Sequence, residues 1–248
     1  MAQVALFVPC YIDDFYPETA EATLRVLEAH GFEVVFPEGQ SCCGQPFINN
    51  GLIREARGLA DRFVALFASF DYVVAPSSSC VGAVRYRYEG VVSDARYPAF
   101  RGRVFELCEF LHDVVGVENL RFVKPLNRRV GLHNSCHALR ELMLARPSEL
   151  RVEPFSKIEA VLKRVPGLEV VLPSRDECCG FGGSFSVDET AVSAMMGRDR
   201  IADHLANGVD VMAGVDMSCL MHMEGLAKRD GTPMRFVHVA ELMAESLA

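Results

Sequence analysis

Cysteines occur in this chain as two matching sets: Cys10, Cys42, Cys43 and Cys80 in the first half, and Cys136, Cys178, Cys179 and Cys219 in the second. The inner two of each set are adjacent and followed by glycine, in Ser41-Cys42-Cys43-Gly44-Gln45-Pro46 and in Glu177-Cys178-Cys179-Gly180-Phe181-Gly182. Eight of the nine cysteines are used this way. Thiolates are soft donors, and four per half is the usual complement of an iron–sulfur cluster or a closed zinc site. The pattern therefore proposes a duplicated metal-binding unit.

Other uses of these thiols fit less well. A secreted disulfide framework usually belongs to a shorter chain behind a basic, apolar leader, whereas Met1-Ala2-Gln3-Val4 runs without a basic residue into an apolar strand pattern. A disulfide within each adjacent pair would close a strained small ring twice over. Free cysteine is also a common core residue. That reading suits Cys108, which has no counterpart in the other half, but not two sets in matching order. Three histidines flank the second set: His133, His137 and His222. A lone histidine is more often structural than a ligand; His222, three residues after Cys219, is the leading candidate ligand or proton donor, ahead of His133 and His137. Gly180-Phe181-Gly182-Gly183 lacks the spacing of a dinucleotide fingerprint and the lysine of a phosphate loop.

Composition narrows the class. A chain of 248 residues, half of them hydrophobic, can bury a good core. A net charge of −8 argues against general nucleic-acid binding. No apolar run is long enough for a transmembrane segment: Phe63 to Phe70 is closed at once by Asp71. Reduced thiols and the lack of a leader pattern make the cytoplasm the expected compartment.

Positioning such thiols requires a regular scaffold, and the pattern supplies one twice. Val4 to Val8 reads as a buried strand ending at Cys10, Pro17 to Ala29 as an amphipathic helix, and Glu33 to Phe36 as a strand leading to Cys42-Cys43. Gly51 to Ser69 is a long helix, and Tyr72 to Ala75 a strand running into Cys80. The second half repeats the order: a strand at Arg129 to Leu132, a helical region to about Arg164, a strand at Leu168 to Leu172, a helix from Asp188 to Ala206, and a strand at Asp210 to Ala213. The closing segments, Val104 to Leu111 and Phe236 to Met243, also match. The expected fold is α/β: two similar parallel-sheet units from an internal duplication, related by a pseudo-two-fold axis. The expected domains are 1–124 and 125–248, with the break near Lys124-Pro125-Leu126-Asn127. In a parallel sheet the carboxyl ends of the strands share one edge, so each set of cysteines converges there. Neighbouring side chains on a strand point to opposite faces, so the adjacent pair needs a turn, which the following glycine permits.

These motifs resemble those of the cysteine-rich CCG-domain iron–sulfur family, which includes the B subunit of heterodisulfide reductase and the iron–sulfur subunits of glycolate oxidase and anaerobic glycerol-3-phosphate dehydrogenase. The likeness covers the whole chain. It is strongest to a stand-alone, two-copy lactate-utilization branch, through His133-Asn134-Ser135-Cys136-His137-Ala138-Leu139-Arg140, Glu177-Cys178-Cys179-Gly180-Phe181-Gly182-Gly183-Ser184-Phe185 and Ser218-Cys219-Leu220-Met221-His222. The resemblance implies a subunit of an oxidoreductase complex that converts L-lactate to pyruvate, beside a ferredoxin-like iron–sulfur subunit and a third subunit. It implies a redox cluster, [4Fe-4S] by thiolate count, on Cys136, Cys178, Cys179 and Cys219, and a second cluster or zinc on the first set. A small 2-hydroxy acid is the implied substrate, and His222 the candidate catalytic residue. One departure stands out: the heterodisulfide reductase pattern ends each copy in Cys-x-x-Cys, where this chain has Ala83 and His222. The five-thiolate cluster of that relative does not follow. Thiol–disulfide chemistry at a cluster and a non-redox zinc module remain the rival readings.

Overall fold

The computed structural model describes residues 3–248. Met1 and Ala2, which precede the first strand pattern, lie outside the described residues. Two parallel four-stranded sheets carry the chain. The first holds β1 (Gln3–Leu6), β2 (Glu33–Val35), β3 (Tyr72–Ala75) and β4 (Val104–Glu106) in the order β2-β1-β3-β4. The second holds β5 (Arg128–His133), β6 (Leu168–Val171), β7 (Val211–Gly214) and β8 (Arg235–His238) in the order β6-β5-β7-β8. The registers correspond as well. Leu6 pairs with Val74 as Leu132 pairs with Ala213.

The closing segments that match in sequence prove to be a fourth strand and a capped helix in each half. Glu106 accepts hydrogen bonds from the backbone N–H of Cys108 at 2.7 Å and of Glu109 at 3.1 Å. His238 Nδ1 accepts from Ala240 N at 3.1 Å. These caps satisfy orphan donors of the two following helices, Leu107–Phe110 and Val239–Glu245. Cys108 is fully buried, as a core residue should be.

One sequence expectation needs correction. The helical region between Cys136 and Arg164 is broken into a π-turn at His137–Glu141 and a helix at Lys157–Leu162, with irregular chain between. Pro147 and Pro154 lack the N–H a helix needs, and each disfavours helical backbone in the residue before it. Met143 adopts a positive φ of 52° at the start of this stretch.

The halves exchange their last helices. Val239–Glu245, which ends the second half, packs on Pro17–Ala29 of the first, where Thr19 Oγ1 donates to Glu241 Oε1 at 2.6 Å. Reciprocally, Leu107–Phe110 and the π-helix Leu111–Gly116 of the first half pack on Lys157–Leu162 of the second, where Lys157 Nζ meets Asp113 Oδ2 at 2.5 Å. One hydrophobic cluster consequently runs from Val4 through Val73 and Leu107 to Ile158, Ala213 and Leu242, and a second joins Leu6 and Ile12 to Met212, Leu220 and Met223. Among the described residues, no helix is long and apolar enough to cross a membrane.

Candidate metal centre

Every cysteine of the two sets lies just beyond a strand's carboxyl end. Cys10 opens the helix Cys10–Phe15 after β1, and Cys136 precedes the π-turn after β5. Cys80 sits in the first turn of Ser78–Gly82, where Ser77 Oγ accepts from its N–H at 3.3 Å, and Cys219 in the first turn of Met217–Asp230. The adjacent pairs lie on turns. Gly44 and Gly180 have φ of +79° and +88°, left-handed values that glycine tolerates best. Each turn donates backbone N–H to sulfur: Gly44 N to Cys42 Sγ and Gly180 N to Cys178 Sγ, both at 3.4 Å, and Phe181 N to Cys179 Sγ at 3.5 Å.

The sulfurs of each set meet. Cys43 Sγ lies 3.5 Å from Cys80 Sγ, and all nine cysteines are free thiols. Hydrogen bonding from Cys10 and then Cys43 pulls the Cys42 thiol well down, and bonding from Cys136 and Cys179 does the same to Cys178. The donors respond in the opposite sense. Cys10 and Cys136 are pushed up by the same bonds, reinforced by burial. Each set therefore chains its four cysteines side by side, Cys10–Cys42–Cys43–Cys80 and Cys136–Cys178–Cys179–Cys219, with Cys42 and Cys178 as the thiols most easily ionised.

Both sets open on one space. A cavity of about 120 Å³ between the halves is lined by all eight of these cysteines. Its polar wall includes Gln45, Asn49, Asn50, His137 and Ser184. The halves are joined beneath it by Asp216, fully buried, which accepts from Ser77 Oγ at 2.8 Å, Ser79 N at 3.0 Å and Ser135 Oγ at 2.5 Å, and also from Ser78 Oγ. Burial acts to raise the Asp216 carboxyl, but His137 and these donors outweigh it and hold the group below the usual carboxylate range. Its N-cap position makes no side-chain bond to its own helix, since the carboxylate is taken by four serines from both halves.

The three histidines separate. His137 lines the cavity, with Nδ1 3.6 Å from Cys136 Sγ and Nε2 3.0 Å from Gln45 Nε2. His222 stands outside the lining, 3.4 Å from the Ser193 carbonyl and with its ring centroid 6.0 Å from that of Phe181. His133 is buried at the end of β5, and one of its nitrogens lies within 4.8 Å of Cys179 Sγ and Cys219 Sγ. Burial, then Arg200 and His204, drives its pKa down to about 3, so the ring is neutral. The reach of His133 is a feature that its place four residues after Arg129 does not announce. Asp216 was missed from the sequence altogether, because an aspartate before a helix reads as an ordinary N-cap.

The donor set fits a thiolate-bound metal or iron–sulfur cluster in each half: free, adjacent sulfurs, N–H groups aimed at them, and helix N-termini that favour negative charge. Comparison with known proteins agrees. The family description "CCG: Cysteine-rich domain" matches residues 4–85 and again 130–224. "Lactate utilization protein A" of Halalkalibacterium halodurans is 37% identical over 247 residues, covering 97% of this chain and 96% of that protein. "Lactate utilization protein A 1" of Bacillus mycoides is 35% identical over 250 residues, covering 98% and 97%. Among solved structures, a putative Asp/Glu racemase from Yersinia pestis covers 98% of this chain and 96% of its own at 11% identity, with a TM-score of 0.39, too low to carry an argument. With both copies of the domain matched and full-length relatives at this identity, the chain belongs to the CCG cysteine-rich domain family.

Proposed function

We propose that this chain is the iron–sulfur electron-transfer subunit of a cytoplasmic complex that oxidises L-lactate to pyruvate. The observation that carries this reading is the convergence of eight free thiols, four from each family domain, on one cavity between the halves. The names of its full-length relatives supply the substrate. Converting a 2-hydroxy acid to a 2-oxo acid releases two electrons and two protons. Iron–sulfur clusters supply stepwise one-electron transfer, which suits the passing of that pair to a distant acceptor.

The chain's own residues have defined parts in this reading. Cys136, Cys178, Cys179 and Cys219 hold the redox cluster, of [4Fe-4S] type, and Cys10, Cys42, Cys43 and Cys80 hold a second cluster or zinc. The N–H groups of Gly44, Gly180 and Phe181 stabilise sulfur charge. A proton at the cavity wall has His137 Nε2 and the Gln45 amide beside it, while His222 acts only through Ser193 or Phe181. A ferredoxin-like iron–sulfur subunit and a third subunit complete the complex, with 1–124 and 125–248 of this chain as its two domains.

The test is anaerobic assembly of this chain with its partner subunits, iron and sulfide analysis, and electron paramagnetic resonance before and after adding L-lactate. Appearance of a reduced-cluster signal that Cys179→Ser removes supports the reading. A loaded complex whose signal ignores lactate, or a chain binding zinc alone in both halves, contradicts it.

A further inference from the structure

The two halves differ behind their cysteines. Strand register and distance to the following cysteine make Phe7 and His133 equivalent, each three residues before Cys10 or Cys136. The following long helices align through the glycine turns, because Gly44 sits over the Ala56 carbonyl as Gly180 sits over that of Ser193. Phe63 then corresponds to Arg200, and Phe67 to His204. In the first half the three phenylalanines stack, with ring centroids 4.8 Å apart for Phe7–Phe63, 5.7 Å for Phe7–Phe67 and 4.5 Å for Phe63–Phe67. In the second half the same space holds His133, Arg200 and His204, each 1% exposed.

An apolar stack needs no further explanation, but a buried polar trio does. Arg200 is provided for at its terminal nitrogens and lacks a partner at Nε: Nη1 donates to the Arg175 carbonyl at 2.6 Å and to Asp203 Oδ2 at 2.9 Å, and Nη2 stands 3.3 Å from His204 Nε2. His133 is not. Neither of its ring nitrogens has a hydrogen-bond partner among the described residues, yet one lies within 4.8 Å of both Cys179 Sγ and Cys219 Sγ, and those two sulfurs within that distance of each other. Donor atoms around a tetrahedral ion stand roughly 3.5–4 Å apart, so this trio is within about an ångström of closing on a metal.

We propose that His133 is a nitrogen ligand of the second-half metal centre, so that this centre has a mixed sulfur–nitrogen donor set while the first, with Phe7 in the equivalent place, has sulfur alone. The proposal rests on the reading of the second cysteine set as a metal site. It makes the two centres chemically unequal: five donors face the second centre, and where the neutral imidazole takes an iron in place of one of the four thiolates the negative charge falls and the reduction potential rises.

The test uses the whole chain, labelled with ¹⁵N-histidine, loaded anaerobically with iron and sulfide, reduced, and examined by pulsed electron paramagnetic resonance. The wild type should show a directly coordinated nitrogen. The coupling should be lost completely in His133→Phe and His133→Asn, and kept in His137→Gln and His222→Gln. Absence of the coupling in loaded wild type, its survival in both His133 variants, or its loss in either control variant overturns the proposal. Iron analysis separates this from failure of the wider reading, which would leave the second cysteine set without iron.

Discussion

Gln45 Nε2 lies 3.0 Å from His137 Nε2, and the pseudo-equivalent pair across the cavity is Phe181 with Tyr11, their ring centroids 5.8 Å apart. In both pairs the residue after one half's Cys-Cys-Gly turn meets the residue after the other half's leading cysteine. The lips of the cavity are thereby tied from each side, and the two cysteine sets face each other across a fixed gap. Phe181→Ala should loosen one tie. An aromatic pair contributes about 1 kcal/mol beyond its buried area, so oxygen-driven loss of metal should accelerate roughly fivefold. Unchanged decay of the metal-dependent absorbance in air would remove Phe181 from this role.

Asp216 joins the halves, and its loss should be costly. Asp216→Ala leaves three serine hydroxyls and the Ser79 N–H without their shared acceptor in a buried place. A destabilisation of about 3–5 kcal/mol is expected from urea denaturation of the metal-free protein. Asp216→Asn keeps an oxygen acceptor and should cost less. Equal losses for the two variants would show that the network is not the source.

The two glycine turns should respond unequally to alanine. A Cβ at Gly44 would meet the Leu59 side chain at an ordinary 3.5 Å, so Gly44→Ala carries mainly the backbone cost of about 1–2 kcal/mol. A Cβ at Gly180 would stand 2.4 Å from the Ser193 carbonyl oxygen, which belongs to a helix and cannot yield easily. Gly180→Ala should therefore cost about 3 kcal/mol or more and reduce metal uptake by the second half selectively. Similar effects on stability and loading from both variants would contradict this.

Acid should weaken the fold through His238. Burial drives its imidazole down to about 4, against about 6.5 in an unfolded chain. The unfolded state therefore binds the extra proton between those values. His238's contribution is complete above about pH 6.5 and is lost as pH falls toward 4, by up to about 3 kcal/mol. His238→Asn retains a cap acceptor for Ala240 without a titrating ring. Its urea midpoint should fall less than that of the wild type between about pH 7.5 and 4.5. Parallel falls would assign the acid sensitivity to His204 and His133, which burial also lowers, to about 4 and about 3.

Much of this was legible in the chain itself. Cysteine order and apolar runs located three strands of each sheet, and Pro17 at the first helical position marked a helix that runs to Ala29 as read. What escaped depends on long-range packing. Val239–Glu245 carries an amphipathic pattern that says only that one face is buried, not that it rests on the other half. Asp216 and His133 look locally like a cap and a strand end, and their roles arise from residues 46 to 139 positions away. That both cysteine sets share one cavity depends on how the two halves pack together, which no local pattern records.

The central claim is that these eight cysteines hold two metal centres, one in each half. It is tested most directly by iron, zinc and sulfide analysis of anaerobically prepared protein beside the double variants Cys42→Ser/Cys43→Ser and Cys178→Ser/Cys179→Ser. Wild type should carry metal in both halves, and each double variant should lose one half's share while keeping the other. Only the second double variant should lose the lactate-responsive signal in the assembled complex, the first losing mainly stability. Metal content unchanged in either double variant would contradict the account.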